Sequence, residues 1–289
     1  MTLLDRVAGA PISWGVCEVP GWGHQLPADT VLDGMRRLGL AATELGPEGF
    51  LPDDPRAKAA VLDRAGLRAV GGFVPVVLHD ADRDPVEQVR DAVDGLVATG
   101  APVVVLAAAT GLDGYDSRPA LDEAGWSMLL AGLDRLDRYA ADRGLRATLH
   151  PHVGTMVEGP DEVDRVLDRC GIALCLDTGH LLIGGTDPVR LAREHGDRVT
   201  HVHLKDVDAA WARKVGAGEI DYADAVARGL YRPLGQGDVD IAQIVAALEQ
   251  AGYRGWYVLE QDTVLDAAAS DEGPLADVRT SLDFLEALA

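Results

Sequence analysis

Short apolar runs alternate with amphipathic stretches along nearly the whole chain. Eight runs have the length and composition of β-strands, and several are apolar at almost every position, as in strands buried on both faces of a parallel sheet. They cover residues 10–15, 42–46, 67–76, 102–108, 146–150, 172–177, 199–203 and 255–260. Segments with helical spacing lie between and after them, at 28–39, 55–66, 85–99, 120–143, 161–169, 187–195, 239–252 and 275–288. This alternation predicts an α/β protein with a parallel sheet.

Glycine follows most of the predicted helices, where it can adopt the left-handed C-cap conformation at little cost. These glycines are Gly39, Gly66, Gly100, Gly144, Gly171 and Gly252. Eight strand–helix repeats favour a single closed (β/α)₈ TIM barrel, with a doubly wound open sheet as the second choice. We predict one domain over residues 1–289, with long βα loops near 18–27 and 205–238. Because both loops follow strands, they belong to the barrel face that carries active sites.

The charge of the chain restricts its partners. The formal net charge is −21, whereas nucleic acids and anionic membranes are bound by basic surfaces. We therefore expect a small polar molecule as the partner, and neither nucleic acid nor membrane. No apolar run reaches the roughly 18 residues that a membrane span needs, and the N-terminus does not resemble a signal peptide. The three cysteines are too irregularly spaced for a disulfide framework, so we expect a cytoplasmic protein.

Four potential metal ligands each close a predicted strand. They are His150, Asp177, His203 and Glu260. Intervals of 27 and 26 residues separate the first three, about one strand plus one crossover helix, and 57 residues separate the last two. The ends of different strands meet at one face of a parallel barrel, so these residues can converge on one ion. Two imidazoles and two carboxylates suit Mn²⁺, Co²⁺, Zn²⁺ or Fe²⁺ better than Ca²⁺, which prefers oxygen ligands.

Further histidines surround this set. His152 and His201 lie two residues from His150 and His203, and therefore on the same side of their strands. His180 follows Asp177 on the turn that leaves the strand. Because one ion cannot bind them all, His152 and His180 become candidates for substrate binding or acid–base catalysis. His201 lies deeper in its strand and is expected to be a hydrogen-bonded interior residue.

Several segments resemble known proteins. LDTGH (176–180), HVHLKD (201–206), PLGQGDVD (233–240) and GYRGWYVLE (252–260) are similar to the xylose isomerase-like TIM barrel superfamily of sugar isomerases, epimerases and dehydratases. The N-terminal segments APISWGVCEVPGWGHQLP (10–27) and LAATELGPEGFLP (40–52) resemble the inosose dehydratases, which remove water from 2-keto-myo-inositol. The resemblance extends over essentially the whole chain and implies a metal-dependent hydro-lyase that forms homo-oligomers. A metal-dependent sugar or cyclitol isomerase or epimerase is the alternative.

The resemblance also implies ligands. Asp177, His203 and Glu260 match the superfamily's ligands on the last three barrel strands. On the fifth strand most relatives carry a glutamate two residues before a histidine, whereas this chain has His150-Pro151-His152. Either His150 replaces the carboxylate or His152 coordinates in its place, and we favour His150. Mn²⁺ or Co²⁺ is the first expectation for the metal, followed by Zn²⁺ or Fe²⁺.

Dehydration beside a ketone requires a base for the α-proton and an acid for the departing hydroxyl. The candidate bases are Glu260 and His152, and the candidate acids are His180 and Lys205. Residues expected to bind the substrate are Trp14, Glu44, His79 and His180, since each is predicted at or just beyond the end of a strand.

Overall fold

The computed structural model describes residues 2–112 and 114–289 of the chain. Nine parallel strands of the described residues form one sheet, and two short strands form an antiparallel pair. The strands, in chain order, are β1 (Val7–Gly9), β2 (Ala42–Glu44), β3 (Arg68–Gly71), β4 (Phe73–Val76), β5 (Val103–Ala108), β6 (Arg146–Leu149), β7 (Ala173–Asp177), β8 (Val199–Leu204), β9 (Asp206–Val207), β10 (Tyr231–Arg232) and β11 (Tyr257–Leu259).

The sheet has the order β3-β2-β1-β11-β8-β7-β6-β5-β4. β3 and β4 are the two halves of the predicted run 67–76, interrupted at Gly72. The first half pairs with β2 and the second half with β5, so this one run joins the two edges of the sheet. The result is a (β/α)₈ barrel, which confirms the predicted fold class.

Helices surround the barrel and its C-terminal end. They are α1 (Ala28–Arg37), α2 (Pro55–Ala65), α3 (Pro85–Thr99), α4 (Glu123–Ala141), α5 (Pro160–Arg169), α6 (Thr178–Ile183), α7 (Pro188–His195), α8 (Ala209–Gly216), α9 (Tyr222–Ala227), α10 (Ile241–Gln250) and α11 (Glu272–Glu286). Many begin after an aspartate whose carboxylate accepts backbone N–H groups of the first turn, as Asp54, Asp84, Asp122 and Asp187 do. Such caps stabilise helices and place negative charge at the positive end of the helix dipole. Within the described residues, each helix is too short or too polar to cross a membrane.

The first strand differs from the prediction. The expected strand at 10–15 is wrong, because β1 occupies Val7–Gly9 and a 3₁₀-helix covers Pro11–Trp14. Proline lacks the N–H that a strand between two neighbours must donate, and Gly15 then turns the chain at a φ of 79°. The side chain of Trp14 therefore enters the core instead of ending a strand.

The barrel interior is lined by small apolar side chains below the polar end. Ala8, Ala42, Val70 and Val258 form one such cluster, separate from the large core between the barrel and its helices. Residues two positions further along a strand point to the same side. Glu44 therefore follows Ala42 into the interior, and polar side chains occupy the C-terminal end of the barrel.

The segment 233–240 folds around a carboxylate of the chain itself. Oδ2 of Asp206 accepts hydrogen bonds from the backbone N–H groups of Gly235 (2.8 Å) and Gly237 (2.9 Å). Oδ1 accepts a hydrogen bond from Val239 N–H at 3.0 Å. A Cβ atom on Gly237 would lie 2.3 Å from Asp206 Oδ1. The glycines of this motif thus let the backbone approach Asp206, which anchors the loop beside the barrel mouth.

We expect Gly237→Ala to destabilise the protein by about 1–3 kcal/mol, because the added methyl group must displace the Asp206 carboxylate or its loop. Gly273→Ala is the matched control. Gly273 lies in α11 with no atom within 4 Å of its would-be Cβ, and alanine is the better helix former. Urea denaturation measures both, and equal midpoints for the two variants would contradict the proposed packing.

Candidate active site

The four predicted metal ligands meet at the C-terminal end of the barrel. His150 and Glu260 follow β6 and β11, Asp177 ends β7, and His203 lies in β8. Nε2 of His150 is 3.1 Å from Asp177 Oδ2. Nδ1 of His203 is 3.5 Å from Asp177 Oδ2 and 3.2 Å from Glu260 Oε2. Residues up to 57 positions apart in sequence are therefore in contact.

The two oxygens of Asp177 have different partners. Oδ1 accepts the backbone N–H groups of Gly179 and His180 and so caps α6. Oδ2 faces His150 and His203. The strand end and the helix cap are thus combined in one residue, which fixes the carboxylate while leaving one oxygen directed at the cluster.

The geometry of the cluster fits a cation. Ligand atoms of Asp177, His203 and Glu260 all lie within 4.8 Å of one another, as do those of His150, Asp177 and His180. Nδ1 of His203 is buried and makes no hydrogen bond within the described part of the chain, although it faces two carboxylates. An imidazole nitrogen and carboxylate oxygens arranged in this way are suitable ligands for a transition-metal ion.

His152 has a different environment from His150. Its Nδ1 lies 2.6 Å from the carbonyl oxygen of Val153, so Nδ1–H donates to that carbonyl. Its ring packs against the ring of His180, with centroids 3.7 Å apart. The structure therefore brings His150 to Asp177 and places His152 in a histidine pair beside the cluster.

Lys205 lies among three acidic groups. Its Nζ is 2.6 Å from Asp262 Oδ1, 3.0 Å from Glu260 Oε2 and 3.6 Å from Asp177 Oδ2. Nζ is also 3.1 Å from Nε2 of His180. Burial opposes the charge of Lys205, but the surrounding carboxylates prevail and hold the pKa of its ammonium well above the usual value. Lys205 thus links the carboxylates of Asp177 and Glu260 to the histidine pair.

The protonation states of the other groups follow from burial and charge. Burial opposes ionisation of Asp177, but the Lys205 charge and the neighbouring histidines together outweigh it and hold the pKa of the carboxyl well below its usual value. For His152 and His180, burial is the main cause that holds the pKa of each imidazole well below its usual value. The site therefore combines an ionised carboxylate, an ammonium donor and neutral imidazoles that can accept a proton.

A cavity opens above this cluster. Its polar wall includes the predicted residues His150, His152, His203, Lys205 and Glu260. Its remaining wall is largely apolar and aromatic, with Ile12, Val16, Trp22, Pro47, Phe73 and Tyr115. A cavity that combines an aromatic wall with a few convergent polar groups is typical of a small-molecule site.

The residues predicted to bind substrate lie in different places. Glu44 lines the cavity, and His180 packs against His152. Trp14 does not reach the cavity wall, because the 3₁₀-helix turns it into the core, where its indole packs against Gly34 of α1. His79 is half-buried beyond β4 and also lies outside the wall, because the strand ends three residues before it.

Several residues of the cavity wall were not predicted from the sequence. Asp262 lies two residues after Glu260, and this spacing in an extended segment could have placed it on the same side. Its Oδ2 accepts a hydrogen bond from Tyr222 Oη at 2.7 Å. Tyr222 is the first residue of α9, which follows β8, and Tyr115 lies in the loop after β5. Their rings pack edge to face with centroids 5.5 Å apart. Residues in loops and at the ends of short helices carry no periodic signal in the sequence.

Comparisons with known proteins agree with the fold. Residues 32–288 match the model of the xylose isomerase-like TIM barrel family. The inosose dehydratase of Geobacillus kaustophilus is 32% identical over 270 residues, which cover 89% of this chain and 87% of that protein. The rhizopine catabolism protein MocC of Rhizobium meliloti is 35% identical over 89% of this chain and 81% of its own length. The crystal structure of the IOLI protein with a bound zinc atom superposes with a TM-score of 0.73 at 13% identity, covering 98% and 99% of the two chains.

Proposed function

The chain belongs to the inosose dehydratase family of the xylose isomerase-like TIM barrels, and we propose that it is a hydro-lyase acting on 2-keto-myo-inositol or a closely related keto-cyclitol. The observation that carries the proposal is the meeting of His150, Asp177, His203 and Glu260 beside Lys205. All of these residues except the fully buried Asp177 lie on the wall of one cavity. A cytoplasmic location fits a small-molecule enzyme of this kind.

His150, Asp177, His203 and Glu260 would hold a divalent ion. The zinc of the IOLI structure supports a metal in this fold, and Mn²⁺ or Co²⁺ remains our first choice because two carboxylates accompany the two imidazoles. Such an ion supplies a Lewis acid that polarises the substrate ketone. His150 is favoured over His152 as the ligand from β6, because His150 contacts Asp177 while Nδ1 of His152 is engaged by Val153.

His152 is the stronger of the two candidate bases. Its imidazole lines the cavity and burial keeps it neutral, so it can accept the α-proton of the bound ketone. Its Nδ1–H donates to Val153 O, which leaves the lone pair on Nε2. Glu260 is less available, because His203 and Lys205 both contact Oε2 of its carboxylate.

Lys205 is the stronger of the two candidate acids. Its ammonium lines the cavity and holds its proton firmly until a stronger base forms nearby. As the C–O bond to the β-carbon breaks, Lys205 can donate a proton so that the hydroxyl leaves as water, and the electron pair of the former C–H bond forms the new double bond. His180, 3.1 Å from Lys205 Nζ, would then assist in returning a proton to Lys205.

An activity assay tests this function. The protein is stripped of metal, reloaded with Mn²⁺, Co²⁺ or Zn²⁺, and supplied with 2-keto-myo-inositol. We expect no activity without metal, and after reloading a new ultraviolet absorbance from the conjugated product, together with the loss of one water in its mass.

The product also separates the proposal from an isomerase or epimerase on the same barrel. An epimerase would return a compound of unchanged mass, inverted at one carbon and without new absorbance. Metal-loaded protein that yields only such an epimer, or that leaves keto-cyclitols unchanged, would refute the dehydratase proposal.

A further inference from the structure

A carboxylate inside the barrel binds two histidines. Oε1 of Glu44 lies 2.7 Å from His201 Nε2 and 3.2 Å from His203 Nε2. All three side chains are buried. Glu44 is on β2 and the histidines are on β8, and β1 and β11 separate these strands in the sheet. The contact therefore crosses the barrel interior.

The backbone is shaped to allow this contact. The pairing of β2 with β3 shifts register between Thr43 and Glu44, so that Glu44 lies opposite Gly71. Irregularities of this kind change the direction in which a side chain points. A Cβ atom on Gly71 would lie 3.0 Å from Glu44 Oε1 and 3.4 Å from a ring atom of His201. Both features leave room for Glu44 beside the histidines.

We propose that Glu44 is a positioning residue for the metal ligand His203. By accepting a hydrogen bond from Nε2–H, Glu44 favours the neutral tautomer of His203 that carries its proton on that nitrogen. The lone pair then lies on Nδ1, which is directed at Asp177 Oδ2 and Glu260 Oε2. His201 donates the second hydrogen bond and holds Glu44 in place. This inference rests on the metal site of the proposed function.

The chemical reason is that an imidazole nitrogen carrying a proton cannot bind a cation. Partners that fix the tautomer of a ligating histidine typically contribute about 10–100-fold to metal affinity. Without Glu44, the tautomer with the proton on Nδ1 becomes populated, and that proton would point at the carboxylates in the place of the ion.

Two substitutions test the role of Glu44. Glu44→Ala removes the acceptor, and Glu44→Gln keeps a weaker, neutral acceptor of the same shape. We expect Zn²⁺ affinity, measured by competition with a chromogenic chelator, to fall by about 10–100-fold in Glu44→Ala and by less in Glu44→Gln. Glu249→Gln is the matched control, since Glu249 accepts hydrogen bonds from Arg6 and Tyr257 at the opposite end of the barrel. Its metal affinity should equal that of the wild type.

Spectra of ¹⁵N-histidine in the Zn²⁺-loaded protein provide a second readout. The ring proton of His203 should reside on Nε2 in the wild type and in Glu249→Gln, and its signal should weaken or shift in Glu44→Ala. Unchanged affinity and an unchanged His203 signal in Glu44→Ala would overturn the proposal. So would two tightly bound ions per wild-type chain, because Glu44, His201 and His203 would then be ligands of the second ion.

These measurements need no turnover. A wild-type protein that binds one ion through His203 but does not dehydrate cyclitols would contradict the proposed function and leave the role of Glu44 intact.

Discussion

Asp177→Asn is expected to abolish activity and to lower metal affinity by more than about 100-fold, beyond the loss typical when only the partner of a ligand is removed. Asparagine is as good a helix cap as aspartate, so α6 should keep its N-terminal hydrogen bonds. What is lost is the negative charge of the oxygen that faces His150 and His203. Metal content after dialysis and the rate of the dehydration assay measure the two effects.

Asp187→Asn is the control for this prediction. Asp187 caps α7 in the same way, through one oxygen that accepts the N–H groups of Val189 and Arg190, but its side chain is exposed, whereas that of Asp177 is buried against His150 and His203. It should retain metal and activity. If Asp177→Asn also retained its metal, Asp177 would not be a ligand.

Lys205→Met should destabilise the metal-free protein by about 3–5 kcal/mol, the usual cost of leaving a buried charge without its partner. The Lys205 ammonium is buried and lies within 3.6 Å of Asp177, Glu260 and Asp262. Methionine keeps the volume but leaves these carboxylates facing one another. Activity should also be lost, because the proposed acid is gone.

A second substitution tests whether the unpaired carboxylates cause this loss of stability. Asp262→Asn in the Lys205→Met background removes the acidic group nearest to Nζ, so it should restore part of the free energy of unfolding. Lys214→Met, at an exposed position of α8, should change stability by no more than about 0.5 kcal/mol. A denaturant midpoint of Lys205→Met near the wild-type value would contradict the prediction, because it would show that pairing with Lys205 does not stabilise the buried carboxylates.

The meeting of the four candidate ligands was predictable because it depends on where short segments of the chain end. Each of His150, Asp177, His203 and Glu260 closes an apolar run, and parallel strands bring their C-terminal ends to one face. The same reasoning gave the wrong position for the first strand. The strand ends at Gly9, before Pro11, and Trp14 lies in a 3₁₀-helix with its side chain in the core. A run of apolar residues reveals that a strand exists, but hydrogen bonding to its neighbours decides where it ends.

The alternation of strands and helices, the barrel and the meeting of His150, Asp177, His203 and Glu260 could be predicted from the sequence alone, because periodicity and strand ends are properties of short segments. The family was indicated by the resemblance of short motifs. Which side chains contact one another, by contrast, depends on the folded structure. It placed Glu44 against His201 and His203 through a register shift and a glycine. It also placed Lys205 beside Asp262, 57 residues away. These contacts depend on how the strands curve and close into a barrel. Burial and hydrogen bonding inside the barrel then determine the charge and the tautomer of each group.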